Sequence, residues 1–515
     1  MSSTVATSET IPTANVPAKD AEKAIISSDN RDDIDIGLQF IAQHGHVEYT
    51  EEEDRRVRWK IDLYLMPILM ITFGLQYLDK VTMSYAAVYN MREDLGMTGQ
   101  DYSWATSIFY FGYLAGEFPA NYLLQRLPTG KFAAWNLLIW GVMVILSAVP
   151  KNFVGMASLR FLMGFFEAGI PPAWIQITAM FYKVQEQGAR CTAWYFMVGV
   201  AAIVGGLLSY GVGHIHTAVK QWQFVFLLCG AITIAWAAVV FLFLPDSPAN
   251  AKFLTERERA IAIERLRENR TGVKNTNFKT YQMLEALRDP QVWIFALYNG
   301  ISMQVNIGGS FLPILIQNLG FSGLQTTLLT LPVGGVECVA MVVAGALSWY
   351  FPKGRTLNMF VVTLPTLVGG ILLQSLPQEN TWGRATGVWL LLCIPASYAI
   401  MLSLIASNVA GTTKKLTTTL LCFVIYCVGN IVGPQLFRDE EEPQYGTAIR
   451  GILVSIVLCE VLPLVLWAYY VYENKRRDRL VASMSPNEIA ARTEDNEEYL
   501  NRTDREDELK FRYWW

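Results

Sequence analysis

The chain has 515 residues, of which 52% are apolar and 17% charged, with a formal net charge of −4 and a mean hydropathy of +0.27. Soluble domains carry roughly 25% charged residues. That deficit, with repeated apolar runs of roughly 20 residues, excludes an ordinary soluble enzyme and indicates a protein that crosses a lipid bilayer many times.

Residues 1–55 are rich in Ser, Thr, Asp and Ala and lack an apolar core, so they are expected to be a disordered cytosolic N-terminus without a cleavable signal peptide. Apolar segments long enough to span follow near 61–88, 102–124, 132–150, 154–182, 192–213 and 222–244. A charged linker, 245–290, comes next. Six more segments lie near 291–318, 324–350, 356–376, 384–408, 414–437 and 447–472. The expected division is a bundle over 56–244, the linker, a bundle over 291–473, and a charged tail over 474–515. The tail reads as mostly disordered, with a short helix around SPNEIAART. Six spans, a linker and six spans is the layout of transporters built from two related halves.

Lys and Arg set the orientation. They crowd before the first span (Arg55, Arg56, Arg58, Lys60), in alternate loops, in the linker and at Lys475–Arg477, whereas the opposite loops are acidic, as at Asp439–Glu442. By the positive-inside rule both termini and the linker face the cytosol. The sequons at Asn269 and Asn501 are then expected to stay unglycosylated. In the linker, Thr255 followed by Glu258 has the form of a capping box opening a short surface helix, read as a solvated spacer.

Charged residues inside the apolar segments are the candidate site. An ionised side chain near the bilayer centre costs about 2.5–3.5 kcal/mol on insertion scales, so such residues mark water-filled pathways. In SLRFLMGFFEAGIPPAW, Arg160 and Glu167 are seven residues apart, which returns them to nearly one helix face roughly 10 Å apart along the axis. Asp79 and Lys80 interrupt the first span. We read Lys80 and Arg160 as the binders of an anionic substrate and Asp79 and Glu167 as the proton-coupling acids. Pairing Asp79 with Arg160 and Lys80 with Glu167 is an attractive geometry. Glu117, Glu337 and Glu460 are further intramembrane acids, and Glu337 is taken with the proton-coupling set. Asn299, Gln304 and Asn306, near Gly300, Gly308 and Gly309, read as a broken helix with substrate contacts at Asn299 and Gln304. Asn408 in ASNVAG and Tyr77 complete the substrate-binding candidates. The glycines of the fifth and eleventh spans read as close-packing positions. The seven cysteines show no metal-ligand spacing, and His214-Ile-His216 lacks a third ligand, so no metal and no cofactor are expected. No HExxH, nucleophile elbow or phosphate-binding loop is present, which speaks against an enzyme. No basic patch points to nucleic acid.

The segments GLQYLDKVTMSYAAVYNMREDLG, LAGEFPANYLLQRLPTGKF, SLRFLMGFFEAGIPPAWI, LPDSPANAKFLTERER, ASNVAGTTKK and GNIVGPQLF resemble, in this order, the fungal allantoate-permease branch of the anion:cation symporter family, within the major facilitator superfamily. The resemblance covers roughly residues 50 to 480. It implies an all-α fold of 12 transmembrane helices in two six-helix halves. It also implies proton-coupled uptake of a small organic anion such as allantoate, nicotinate or pantothenate, by a monomer in the plasma membrane. Bacterial sugar-acid symporters of this family carry an acidic-basic pair in helix 1 and Arg-x6-Glu in helix 4. By that resemblance Lys80 and Arg160 engage substrate while Asp79 and Glu167 titrate. Lys80 stands where those symporters have Arg, giving a point charge without a bidentate fork. In the loop after the second span Gln125 replaces the usual aspartate and Arg126 is kept, so the cytosolic gate is expected to use a neutral hydrogen bond rather than an ionic latch. Proton-independent facilitation, export and nutrient sensing are the other functions compatible with this layout.

Overall fold

The computed structural model describes residues 47–515 apart from 216, 268–278, 307 and 486–501. The sequons at Asn269 and Asn501, the tail helix around SPNEIAART, the N-terminal 46 residues and His216 lie outside the described residues. The remainder is all-helical.

The N-terminal half comprises α1 (Glu51–Val88), the short α2 (Met91–Asp94), α3 (Asp101–Arg126), α4 (Thr129–Leu146), α5 (Phe153–Glu167), α6 (Ile170–Phe181), α7 (Val184–Gly213) and α8 (Gln221–Phe243). The linker holds α9 (Glu256–Arg267) and α10 (Thr280–Arg288). The C-terminal half runs through α11 (Pro290–Asn306), α12 (Gly308–Gln317), α13 (Gly323–Leu329), α14 (Leu331–Tyr350), α15 (Arg355–Ser375), α16 (Thr381–Leu391), α17 (Ile394–Asn408), α18 (Thr412–Val432) and α19 (Gly446–Ala482). Ten helices or interrupted helix pairs are long and apolar enough to cross a membrane. With α3 and the α11–α12 pair they make twelve spans. Large apolar side chains such as Leu63, Val339 and Val342 stand exposed on the outer surface, as lipid-facing residues must. Trp349 and Tyr350 at the end of α14 are exposed where an interfacial aromatic belt belongs.

The two halves repeat one packing plan. α1 lies on α7 and α4 on α8 in the first; α11 lies on α18 and α15 on α19 in the second. The halves meet along α7 with α14 and α3 with α18. At the first seam Gly199 and Gly334 face each other: a Cβ on Gly334 would sit 2.4 Å from the Gly199 carbonyl. The close-packing role read for Gly199 and Gly429 is met, the latter 2.1 Å from the Gly300 carbonyl by the same measure.

Local chemistry explains where helices begin and break. Thr50 and Glu53 form a reciprocal cap at the start of α1. The expected box at Thr255 and Glu258 forms as well, at 2.8 and 3.3 Å. The single span expected over 154–182 is interrupted at Ala168–Gly169. Pro171 and Pro172 have no N–H to return to the carbonyls one turn back, so α5 stops directly after Glu167. The break expected in the seventh span also occurs, between Asn306 and Gly308.

Two expectations fail on the face that carries the linker. α9 is not a free spacer. Its Arg265 is fully buried between Asp54 at 2.9 Å and Glu186 at 2.7 Å, and Ile261 and Ile263 pack inward. Residues 502–515 are not structureless. They fold back onto the linker face of the C-terminal half, because their charges find buried partners there: Asp504 meets Lys414 at 2.7 Å, and Arg505 meets Asp289 at 3.2 Å.

On the opposite face the halves are joined. Arg92 pairs with Asp439 at 2.6 Å and Glu442 at 3.4 Å. Tyr102 donates to the Ser310 carbonyl, Ser103 to that of Phe437 and Ser107 to that of Ile431.

Candidate functional site

Midway through the N-terminal half, four ionisable side chains are gathered from two helices. Lys80 and Asp79 project from α1, Arg160 and Glu167 from α5, and α8 supplies the neighbour of Asp79. Glu167 is fully buried, and its Oε1 takes Lys80 Nζ at 3.0 Å and Gln76 Nε2 at 3.0 Å. Asp79, 1% exposed, accepts from Thr233 Oγ1 at 3.1 Å. Lys80 lies over the rings of Tyr113 and Phe109, 5.5 and 5.9 Å from the centroids, a favourable position for a cation on a π-face.

The Lys80–Glu167 pair anticipated from the sequence is present; the Asp79–Arg160 pair is not. Successive residues on a helix point about 100° apart, so turning Lys80 toward α5 turns Asp79 toward α8. Arg160 is left 3% exposed, with Nε and Nη2 lacking any partner among the described residues. Asp79 Oδ1 and Glu167 Oε2 are unpartnered in the same sense. Buried polar groups are nearly always hydrogen-bonded, and an unsatisfied charged one is costly. A guanidinium with two idle nitrogens is therefore a site with unused binding capacity.

That capacity opens on a cavity. Lys80 and Arg160 line it with Ser84, Tyr102, Tyr110 and, from the other half, Ser310. Glycine backbone brings the aromatic wall close. A Cβ on Gly112 would lie 1.9 Å from the Phe161 carbonyl, one on Gly116 2.2 Å from that of Phe165, and one on Gly164 2.0 Å from that of Phe109. No side chain fits at these crossings, so α3 and α5 touch main chain to main chain. The signal was the spacing of Gly112 and Gly116, a G-x-x-x-G on an apolar helix. Gln76 and Thr233 carry no comparable signal: a lone Gln or Thr in a span looks like any interhelical hydrogen bond.

The other predicted residues scatter. Tyr77 is partly buried against the core. Glu337 on α14 is buried, with neither carboxylate oxygen bonded among the described residues. Asn299 is buried on α11 with its Oδ1 unbonded. Gln304 accepts from Ser455 at 2.8 Å within the C-terminal half. None of these joins the Lys80–Arg160 cavity. Asn408 also lies away from that cavity. It ends α17 on the linker face and bonds the main chain of Trp514, at 2.7 and 2.8 Å. Arg126 is exposed and stacks on Tyr122 at 4.4 Å, while Asn121 bonds Glu117 at 2.9 Å. The side chain of Gln125 lies outside the described residues. Among the described residues no cluster of His, Cys, Asp and Glu is arranged to hold a metal.

Twelve spans in two repeated halves, with a charged cavity between them, define a secondary-transporter architecture. Residues 69–434 match the family model described as Major Facilitator Superfamily, and the chain belongs to that family. It is 43% identical over 485 residues to an uncharacterized transporter of Schizosaccharomyces pombe, covering 94% of this chain and 90% of the relative. It is 34% identical over 499 residues to the allantoate permease of Saccharomyces cerevisiae, covering 94% and 90% respectively. Among solved structures, the proton:xylose symporter XylE bound to 6-bromo-6-deoxy-D-glucose superposes with a TM-score of 0.63 at 13% identity, covering 79% of this chain and 96% of that one; at this identity the likeness is one of fold. The chain is thus a multi-pass membrane transporter and not an enzyme.

Proposed function

We propose that the protein imports a small organic anion, of the carboxylate class to which allantoate belongs, together with a proton. The observation that carries this reading is the balance of the buried site. Two cations face two carboxylates, and Arg160 has two nitrogens without partners among the described residues. A bound monoanion would leave one net negative charge in a low-dielectric site, and a proton restores neutrality. The 34% identical allantoate permease supports the substrate class.

In the cycle we infer, a proton reaches Glu167 and dissolves its 3.0 Å pair with Lys80. Lys80 and Arg160 then take the anion's carboxylate from the cavity. Asp79, held by Thr233, is the second acid. Glu337, unbonded in the other half, is the remaining candidate for a proton. The neutral, loaded site rocks residues 56–244 against 291–473, with 245–290 as tether. Only a ligand with different affinities for the two states drives this. By the distribution of Lys and Arg the linker face is cytosolic, and the bonds around Arg92 then close the extracellular side. The plasma membrane is the proposed location.

Uptake of labelled allantoate, nicotinate and pantothenate at pH 5 and pH 7.5, in cells lacking their own permeases, tests this. One anion is expected to enter faster at pH 5, with the pH response lost in Glu167→Gln. Uptake indifferent to pH and to that substitution would refute proton symport.

A further inference from the structure

The segment RTDREDELKFRYWW, residues 502–515, is held by two kinds of contact. The first is an anchored acid. Asp504 is fully buried, and its carboxylate takes Lys414 Nζ at 2.7 Å, Tyr513 Oη at 2.7 Å, Gln291 Nε2 at 3.0 Å and the Ala410 N–H at 3.3 Å. Burial and the neighbouring Asp504 carboxylate push the Tyr513 phenol well above its usual range, so it stays a donor.

The second is a reading of main chain. Asn474 on α19 donates to the Tyr513 carbonyl at 2.9 Å and accepts from the Tyr513 N–H at 3.0 Å. Asn408 does the same for Trp514, and the Arg355 N–H donates to the Trp515 carbonyl at 2.8 Å. Both main-chain groups of Tyr513 and Trp514 and the main-chain oxygen of Trp515 are thus bonded with no strand beside them. Side-chain pockets accompany this: Tyr513 stacks on Tyr470 at 4.9 Å and 14°, and Arg477 lies over the Tyr513 and Phe511 rings at 4.5 and 5.9 Å with a 2.9 Å bond to the Tyr513 hydroxyl. Main-chain bonds for affinity with pockets for alternate side chains are how proteins bind extended peptides.

The receiving surface is complete without its occupant. Lys414 keeps Asp289 at 2.7 Å and Glu285 at 2.9 Å when Asp504 departs. Arg505 departs with Asp504, so the charge balance is the same docked or free. Arg477 loses its bonds to the Phe511 carbonyl and the Tyr513 hydroxyl but keeps Glu473 at 3.6 Å, so Lys414 and Arg477 both retain an opposite charge when the segment departs.

We propose that the linker face of the C-terminal half is a peptide-docking site, built on Asn408, Asn474, Arg355, Arg477 and Lys414, whose occupant is this chain's own segment Thr503–Trp515, released and rebound as a unit. Its specificity is for an acid followed nine residues later by a tyrosine and a second aromatic residue. The proposal stands independently of the transported substrate.

The test uses the full chain with a protease site inserted between residues 490 and 491. After cleavage of the purified protein, the C-terminal fragment is expected to co-elute with it. Excess synthetic peptide of residues 502–515 displaces the fragment, and the same peptide with Asp504→Ala and Tyr513→Ala does not. In Asn408→Ala/Asn474→Ala, with thermal unfolding and monodispersity checked in parallel, retention falls at least tenfold. A fragment lost immediately from the unmodified surface, one retained equally by the double variant, or one that no peptide displaces would each overturn the proposal. Should the double variant fail to fold, the peptide competition on the unmodified surface decides alone.

Discussion

Two buried clusters in this chain use the same groups and are wired to opposite ends. Around Lys414 three carboxylates close in, Asp289 and Asp504 at 2.7 Å and Glu285 at 2.9 Å. Around Arg160 nothing closes in: two guanidinium nitrogens, Asp79 Oδ1 and Glu167 Oε2 lack partners among the described residues. A saturated cation joins one part of the chain to another. A cation with idle donors has room for a molecule from outside the chain. Burial alone does not separate the two, since Arg160 is 3% exposed and Lys414 fully buried; the count of satisfied atoms does.

That contrast breaks most sharply at Arg160. Arg160→Gln is expected to reduce anion uptake more than a hundredfold while the protein remains monodisperse with unchanged thermal unfolding, because no protein group depends on those nitrogens. Lys414→Met is expected to do the reverse. It strands carboxylates in the interior at a cost of about 3–5 kcal/mol, visible as a lowered unfolding temperature in detergent, while surviving protein transports. Gly164→Ala lies between them: its methyl group meets the Phe109 carbonyl at 2.0 Å, so α3 and α5 must part, and uptake is expected to fall at least tenfold with a modest loss of stability. The smallest effect is expected from Gln76→Leu. It removes one neutral donor from Glu167, worth about 1 kcal/mol, and should slow proton-driven uptake about fivefold without changing which anion is carried.

Much of the architecture was legible in the sequence because lipid imposes simple rules. Apolar length marks spans, Lys and Arg mark loops, and an ionised residue in a span needs a reason. Those rules located the twelve helices and singled out Asp79, Lys80, Arg160 and Glu167, and the glycines and polar residues of the seventh span marked the break near Asn306. The rules did not locate what depends on how helices rotate and cross. Asp79 turned toward Thr233 rather than Arg160, a rotation that no spacing along one helix reveals. Asn408, read from ASNVAG as a substrate contact, sits at the end of α17 and gives the main chain of Trp514 both a donor and an acceptor. The tail looked disordered because its charges, read alone, have no partners; those partners lie far earlier in the chain, 216 positions for Arg505 and Asp289. Gly112 and Gly116 carry a G-x-x-x-G spacing that the sequence reading passed over, and they mark where α3 and α5 touch main chain to main chain.

Anion exchange across vesicles at equal pH on both sides separates binding from proton coupling most directly. Purified protein in vesicles loaded with unlabelled anion is given labelled anion outside, for the unmodified chain, Glu167→Gln and Arg160→Gln. If Arg160 holds the anion and Glu167 carries the proton, Glu167→Gln exchanges label at a rate near that of the unmodified chain but fails to accumulate it when a pH gradient is imposed, and Arg160→Gln does neither. Full exchange by Arg160→Gln would contradict the assignment of the buried guanidinium as the anion site.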